Sequence, residues 1–146
     1  MQLLRKIKSF NAPLKDLKQI YITFIMSCLE QSCTVWNSMI TKENSDDLER
    51  IQKCALKIIF EDKYKDYPNA LNKIDLETLA ERREKLCRIF AQKGVSNPKL
   101  KKHFRLNIKT HQMDTRHPEK FEVDHARTER LKRSPIIYMQ NLLNEI

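Results

Sequence analysis

A single glycine, Gly94, stands among the 146 residues, beside only five prolines. An all-β fold of short strands needs glycine at many of its turns, so this scarcity argues against one and predicts a mostly helical chain. Long apolar runs are missing as well. The longest, "IYITFIMSCL", reaches about half the ~20 residues that a membrane-spanning helix requires. At the N-terminus "MQLLRKIKSF" interrupts its apolar residues with charge, and no small-residue cleavage site follows. These absences predict a soluble, intracellular chain, nuclear and cytoplasmic, with no membrane partner.

Paired cysteine motifs are also absent. Cys28, Cys33, Cys54 and Cys87 form no Cys-x-x-Cys, and all four histidines (His103, His111, His117, His125) lie in another part of the chain. Metal sites of the zinc-ribbon kind need tighter spacing with ligands nearby, so the thiols read as buried, reduced core residues, and neither a metal nor another cofactor is expected. Asp46-Asp47, the only adjacent aspartates, look like a polymerase carboxylate pair. A two-metal centre, however, needs a further acid converging on the same ions, and these two open an amphipathic helix whose dipole favours them there. With no Gly-rich phosphate loop, Gly-x-Ser-x-Gly or His-Glu-x-x-His, the residues support no independent catalysis.

What the chain has in excess is positive charge. Residues 1–60 hold 9 basic and 6 acidic residues (+3), 61–96 hold 8 and 7 (+1), and 97–146 hold 11 and 6 (+5), within a total of +9. A basic chain without an anchor points to nucleic acid, RNA or DNA, as partner; a solvated cationic surface is the alternative.

The length suits one small core, a helical domain with an extension. Leu14, Leu17, Tyr21, Phe24, Ile25 and Cys28 recur at helical spacing and predict a first buried helix, after which Val35 and Trp36 should tuck against the core. A second helix starts at Thr41 or Asn44, with Leu48, Ile51, Ala55, Ile58 and Ile59 inward. On another face Arg50, Lys53 and Lys57 stand at i, i+3 and i+7, placed to meet successive phosphates. Pro68 reads as a break, followed by one short helical segment, "NALNKI". Asp75 or Thr78 opens a longer helix with Leu79, Leu86, Cys87 and Phe90 inward and Arg82, Arg83, Lys85 and Arg88 mostly outward. Gly94 then sits where a left-handed cap belongs.

Beyond Asn97 the periodicity fades. One short basic helix (98–104) leads into polar sequence, with "KFEV" the only hint of a strand. Arg127, Arg130, Lys132 and Arg133 then run up to Ser134-Pro135, a cap and first-turn pair opening a final amphipathic helix with Ile136, Ile137, Met139, Leu142 and Leu143 on its apolar face. Cations feeding into a helix N-terminus make a candidate phosphate clasp. The predicted architecture is therefore all-α: a small helical bundle over 1–96, a basic and largely extended arm over 97–133, and a C-terminal amphipathic helix over 134–146.

Five stretches in order, "DLKQIYITFI", "LEQSCTVWNSMIT", "DLERIQKCALKII", "LAERREKLCRIFAQK" and "ARTERLKRSPIIYMQNLLN", resemble the C-terminal end of reverse transcriptases of jockey-like non-LTR retrotransposons. They nearly span the chain, which departs from the family's usual residues at Ser27 (often Pro) and Gln31 (often Tyr). The resemblance implies a thumb-like bundle and tail of an RNA-directed DNA polymerase, following a catalytic palm that these residues do not include. It thus implies no catalytic residue and no enzyme activity in this chain alone. The expected role is to grip the template–primer backbone. Candidate contacts are Arg50, Lys53, Lys57, Arg82, Arg83, Arg127, Arg130, Lys132 and Arg133. The alternative is a protein–protein module whose apolar faces meet the missing palm or another protein.

Overall fold

The structure, a computed structural model, describes residues 1–106 and 121–145. Among them the chain is all-α: α1 (Gln2–Ser9), α2 (Leu14–Ile20), a π-helical turn (Tyr21–Met26), α3 (Ser27–Glu30), α4 (Cys33–Trp36), α5 (Lys42–Phe60), α6 (Tyr67–Ile74), α7 (Leu79–Ser96), α8 (Glu129–Lys132) and α9 (Pro135–Asn144). The only β pairing among the described residues is an isolated antiparallel bridge between Leu106 and Phe121, the latter in the segment that hinted at a strand. Residues 107–120 of the expected arm, with His111 and His117, lie outside the described residues.

The chain forms two compact units, Met1–Cys33 with Ile40–Arg83, and Thr34–Met39 with Glu84–Ile146. The division therefore falls elsewhere than at the 96/97 and 133/134 boundaries read from periodicity. Described parts of the expected arm lie in the core of the second unit, where Phe104 and Phe121 are buried.

In the first unit the core gathers Leu4 of α1, Leu17 of α2, Tyr21 and Met26 of the π turn, Ala55, Leu56, Ile59 and Phe60 of α5, and Ala70, Leu71 and Ile74 of α6. The π turn explains a departure from the expected stripe. Burial passes from Leu17 to Tyr21 by four residues and from Tyr21 to Met26 by five, so Phe24, at 61% exposure, and Cys28 turn outward. A wide turn advances the buried position by one residue, which a strict helical period does not anticipate. Leu14, preceding that turn, is also exposed. On α5 the buried stripe runs Gln52, Leu56, Ile59 and Phe60, leaving Ile51 exposed. Gln52 fits there because its amide donates to the Glu77 carbonyl at 3.1 Å. Val35, expected against the core, is 57% exposed.

Local caps settle the helix starts. Thr41 Oγ1 accepts from the Asn44 N–H at 3.2 Å, so Thr41, not Asn44, begins α5. Pro68 is no break: it occupies the first turn of α6, behind an Asp66 cap that accepts from the Asn69 N–H at 2.7 Å. Asp75 closes α6 in the left-handed region (φ 52°). Thr78 and Glu81 then form a reciprocal box at the head of α7: Thr78 Oγ1 accepts from the Glu81 N–H at 3.2 Å, and Glu81 Oε2 accepts from the Thr78 N–H at 3.1 Å.

In the second unit Ala91, Phe104, Phe121, Met139 and Leu143 form a smaller core. Gly94 is not a left-handed cap. No glycine has positive φ, and Gly94 lies inside α7, where a Cβ would stand 2.6 Å from Phe104 Cε2. Its role is to let the Phe104 ring approach the helix backbone. Phe90, expected inward, is partly exposed, and Ala91 takes the core position.

Candidate nucleic-acid interface

The interface candidates divide by what the fold does with each cation. Along α5, Arg50, Lys53 and Lys57 are all exposed. Lys53 Nζ lies 5.1 Å from the centre of the Tyr67 ring and Lys57 Nζ 5.8 Å from that of Tyr64. Ring faces attract cations, and stacked ammonium groups lose part of their side-chain freedom while keeping their donors open to solvent. Arg50 pairs with Asp47 one turn earlier at 2.8 Å, an exposed pair that holds it only weakly.

The Tyr67 support is itself braced. Its hydroxyl donates to Glu49 Oε1, which also accepts from the Leu79 N–H at 3.3 Å, joining α5, α6 and the head of α7. Burial and this carboxylate push the Tyr67 pKa well above the ordinary phenol range, so the hydroxyl stays a donor at neutral pH.

Arg82 and Arg83 are placed differently. Arg82 Nε donates to Glu30 Oε1 in an ion pair of the first unit. Arg83, expected mostly outward, is buried at 2% exposure, and its guanidinium donates to Ser45 Oγ at 2.7 Å. Neighbouring helix positions are about 100° apart, so two adjacent arginines do not share a face. Facing inward, Arg83 has no path to a phosphate on a duplex backbone; it joins α7 to α5.

The C-terminal run lies in the second unit. Arg127, Arg130, Lys132 and Arg133 are placed there, and all four are exposed. Lys132 pairs with Glu129 at 2.5 Å, while Arg130 and Arg133 line an open depression of about 340 Å³ with Met39 and Glu129. Thr128 caps the single turn of α8 by accepting from the Leu131 N–H at 3.2 Å, and Ser134-Pro135 opens α9 as expected.

Two polar residues on the inner face of α9 hold the preceding segment. Asn144 Oδ1 accepts from the Phe121 N–H at 2.8 Å while its Nδ2 donates to the Phe121 carbonyl at 3.0 Å, as a neighbouring strand would. Buried Gln140 accepts from the Asp124 N–H at 3.0 Å and donates to the His103 carbonyl at 2.8 Å. Neither role is legible in the sequence, since a polar residue in an amphipathic pattern reads as solvent-facing.

Two further cations carry no sequence signal. Arg5 and Lys8 of α1 line an open groove of about 580 Å³ together with Cys54, Lys57, Ile58 and Glu61. The thiols also divide: Cys33 and Cys87 are buried as expected, whereas Cys28 and Cys54 are exposed. Among the described residues no cluster of three or more His, Cys, Asp or Glu is arranged to hold a metal, and no helix is long and apolar enough to cross a membrane. Against protein-family models, curated proteins and solved structures, the chain finds no match.

Proposed function

We propose that the chain binds the sugar–phosphate backbone of a nucleic-acid duplex or structured RNA without reading its sequence, as the thumb-like, non-catalytic part of a retrotransposon-type reverse transcriptase. The observation that carries this reading is the exposed row Arg50, Lys53 and Lys57 on α5, two of whose ammonium groups rest on tyrosine rings. Cations presented along one rigid helix neutralise successive phosphates and release counterions, so affinity falls steeply as salt rises. Arg127, Arg130 and Arg133 extend the same chemistry to the second unit. Catalysis would belong to a separate palm.

Anisotropy of a labelled duplex over a salt series tests this. Replacing Arg50, Lys53 and Lys57 together by Ala should weaken binding for every sequence and flatten the log–log salt slope by up to about 0.9 for each B-DNA phosphate no longer neutralised. Unchanged affinity and slope would remove the α5 row from the interface. A second reading, a protein-binding module, is favoured by exposed Phe10 (75%) and Phe24. Association through those residues would persist or strengthen with salt and disappear on Phe24→Ser.

A further inference from the structure

The α1–α5 groove adds something the helical row does not. Arg5 and Lys8 come from α1, Lys57 and Cys54 from α5, and Glu61 from just beyond it, so its charge is three cations against one carboxylate. Lys8 is fixed in place: its Nζ donates to the Ile59 carbonyl at 2.8 Å and lies 3.7 Å from Glu61 Oε2. An ammonium carries three donors, so one remains for a ligand. The Arg5 guanidinium makes no hydrogen bond or ion pair among the described residues. Lys57 belongs to both features, as the last cation of the exposed row and part of the groove wall.

We propose that this groove is a backbone-phosphate channel, in which Arg5, Lys8 and Lys57 hold consecutive phosphates of one nucleic-acid strand as it leaves the α5 row. It rests on the nucleic-acid reading above and gives the strand a direction across the first unit, from Arg50 along α5 toward α1. The chemistry selects a polyanion with spaced charges. Lys8 supplies a fixed ammonium against the groove wall, Arg5 a planar fork suited to two phosphate oxygens, and Lys57 a ring-supported ammonium. Ile58 and Cys54 leave part of the wall uncharged, where the sugars pass.

Cys54 makes the channel testable without relying on affinity alone. In a Cys28→Ser background, so that Cys54 is the exposed thiol among the described residues, its alkylation by iodoacetamide is timed by mass spectrometry of the full chain. The reaction is run alone, with a saturating blunt duplex, and with pyrophosphate. The duplex should slow Cys54 modification roughly tenfold at about 90% occupancy, in line with site-occupancy linkage. Arg5→Glu should abolish that protection and make the salt dependence of binding shallower, while a thermal melt shows the fold kept. Duplex binding with full α5 dependence but no protection of Cys54 overturns the channel and leaves the α5 interface standing. Protection by pyrophosphate and not by duplex overturns it too, in favour of a small-anion pocket. Absence of any duplex binding overturns both readings.

Discussion

The two units keep their interiors closed by different means. The first packs a broad apolar core drawn from α1, α2, the π turn, α5 and α6. The second has a small apolar cluster and depends on side-chain amides: Gln140 and Asn144 bind backbone groups of the segments before α9. The contrast teaches that irregular chain is ordered where a regular element lends it hydrogen-bond partners, since a buried backbone group without a partner costs more than a modest core returns. It also sorts the cations. Those of the first unit divide between an exposed row and internal joints, whereas those of the C-terminal run stand outside the amide-clamped core.

The sharpest way to break the comparison is a cavity in the larger core. Leu56 is fully buried, and Leu56→Ala should destabilise the chain by about 2–5 kcal/mol, the range for buried leucine truncations. Chemical denaturation read by circular dichroism should show a lower midpoint for the first unit. A shift smaller than about 1 kcal/mol would mean that this core is not the chief source of stability.

Next in size is the clamp. Asn144→Ala removes two hydrogen bonds to the Phe121 backbone at once and should cost about 1–3 kcal/mol, the range for losing hydrogen bonds to buried backbone groups. Hydrogen exchange of the Phe121 and Asp124 amides should accelerate while α5 amides keep their protection. Equal acceleration in both units would show that they unfold together and that the clamp is not local.

Much of this division is legible in the sequence, and the exceptions share a cause. The α5 row is readable because an i, i+3, i+7 spacing fixes a face regardless of what packs behind it. The Ser134-Pro135 start of α9 and the all-α class are readable because the fixed φ of a first-turn proline and composition act locally, although the Ser134 side chain makes no cap hydrogen bond. Arg83 departs from its expected outward place because a run of charges does not share one face: adjacent helix positions turn apart, and Ser45 offers an inward partner. Phe24 and Cys28 depart from the stripe because the π turn changes the period within one helix. Gly94 resembles a cap from its place in the sequence, whereas its approach to Phe104 is tertiary. The α1–α5 groove and the Asn144 clamp have no local signal at all, since each exists only once distant segments meet.

A smaller effect separates local capping from packing. Thr78→Ala removes one half of the box that starts α7 and should cost about 1 kcal/mol. The Thr78 hydrogen bonds hold the Glu81 carboxyl below its ordinary range. A carboxylate whose folded pKa is depressed stabilises the fold above its unfolded pKa, and that contribution is lost as pH falls through the folded value. Melting curves of the wild type and the variant should therefore lie apart at neutral pH and draw together in acid. A gap that is constant with pH would assign the effect to threonine packing.

The smallest expected effect has the opposite sign. Tyr21 is fully buried in the first core, and its hydroxyl has no hydrogen-bond partner among the described residues. Burial, together with the Glu49 and Glu30 carboxylates, drives its pKa far above the ordinary phenol range, so the group is a neutral, unpartnered hydroxyl at every physiological pH. Tyr21→Phe deletes that hydroxyl while preserving the ring, and a desolvated polar group removed without opening a large cavity returns its burial penalty. Stability should stay level or rise by up to about 1 kcal/mol. The same change at Tyr67 provides the contrast, because that hydroxyl serves Glu49 Oε1 and its ring supports Lys53. Tyr67→Phe should lower the melting temperature while leaving duplex affinity nearly unchanged, since the ring face beneath Lys53 remains. If Tyr21→Phe proves the more damaging of the two, then the Tyr21 hydroxyl has a partner in solution, and the first unit closes its core with a polar contact much as the second does.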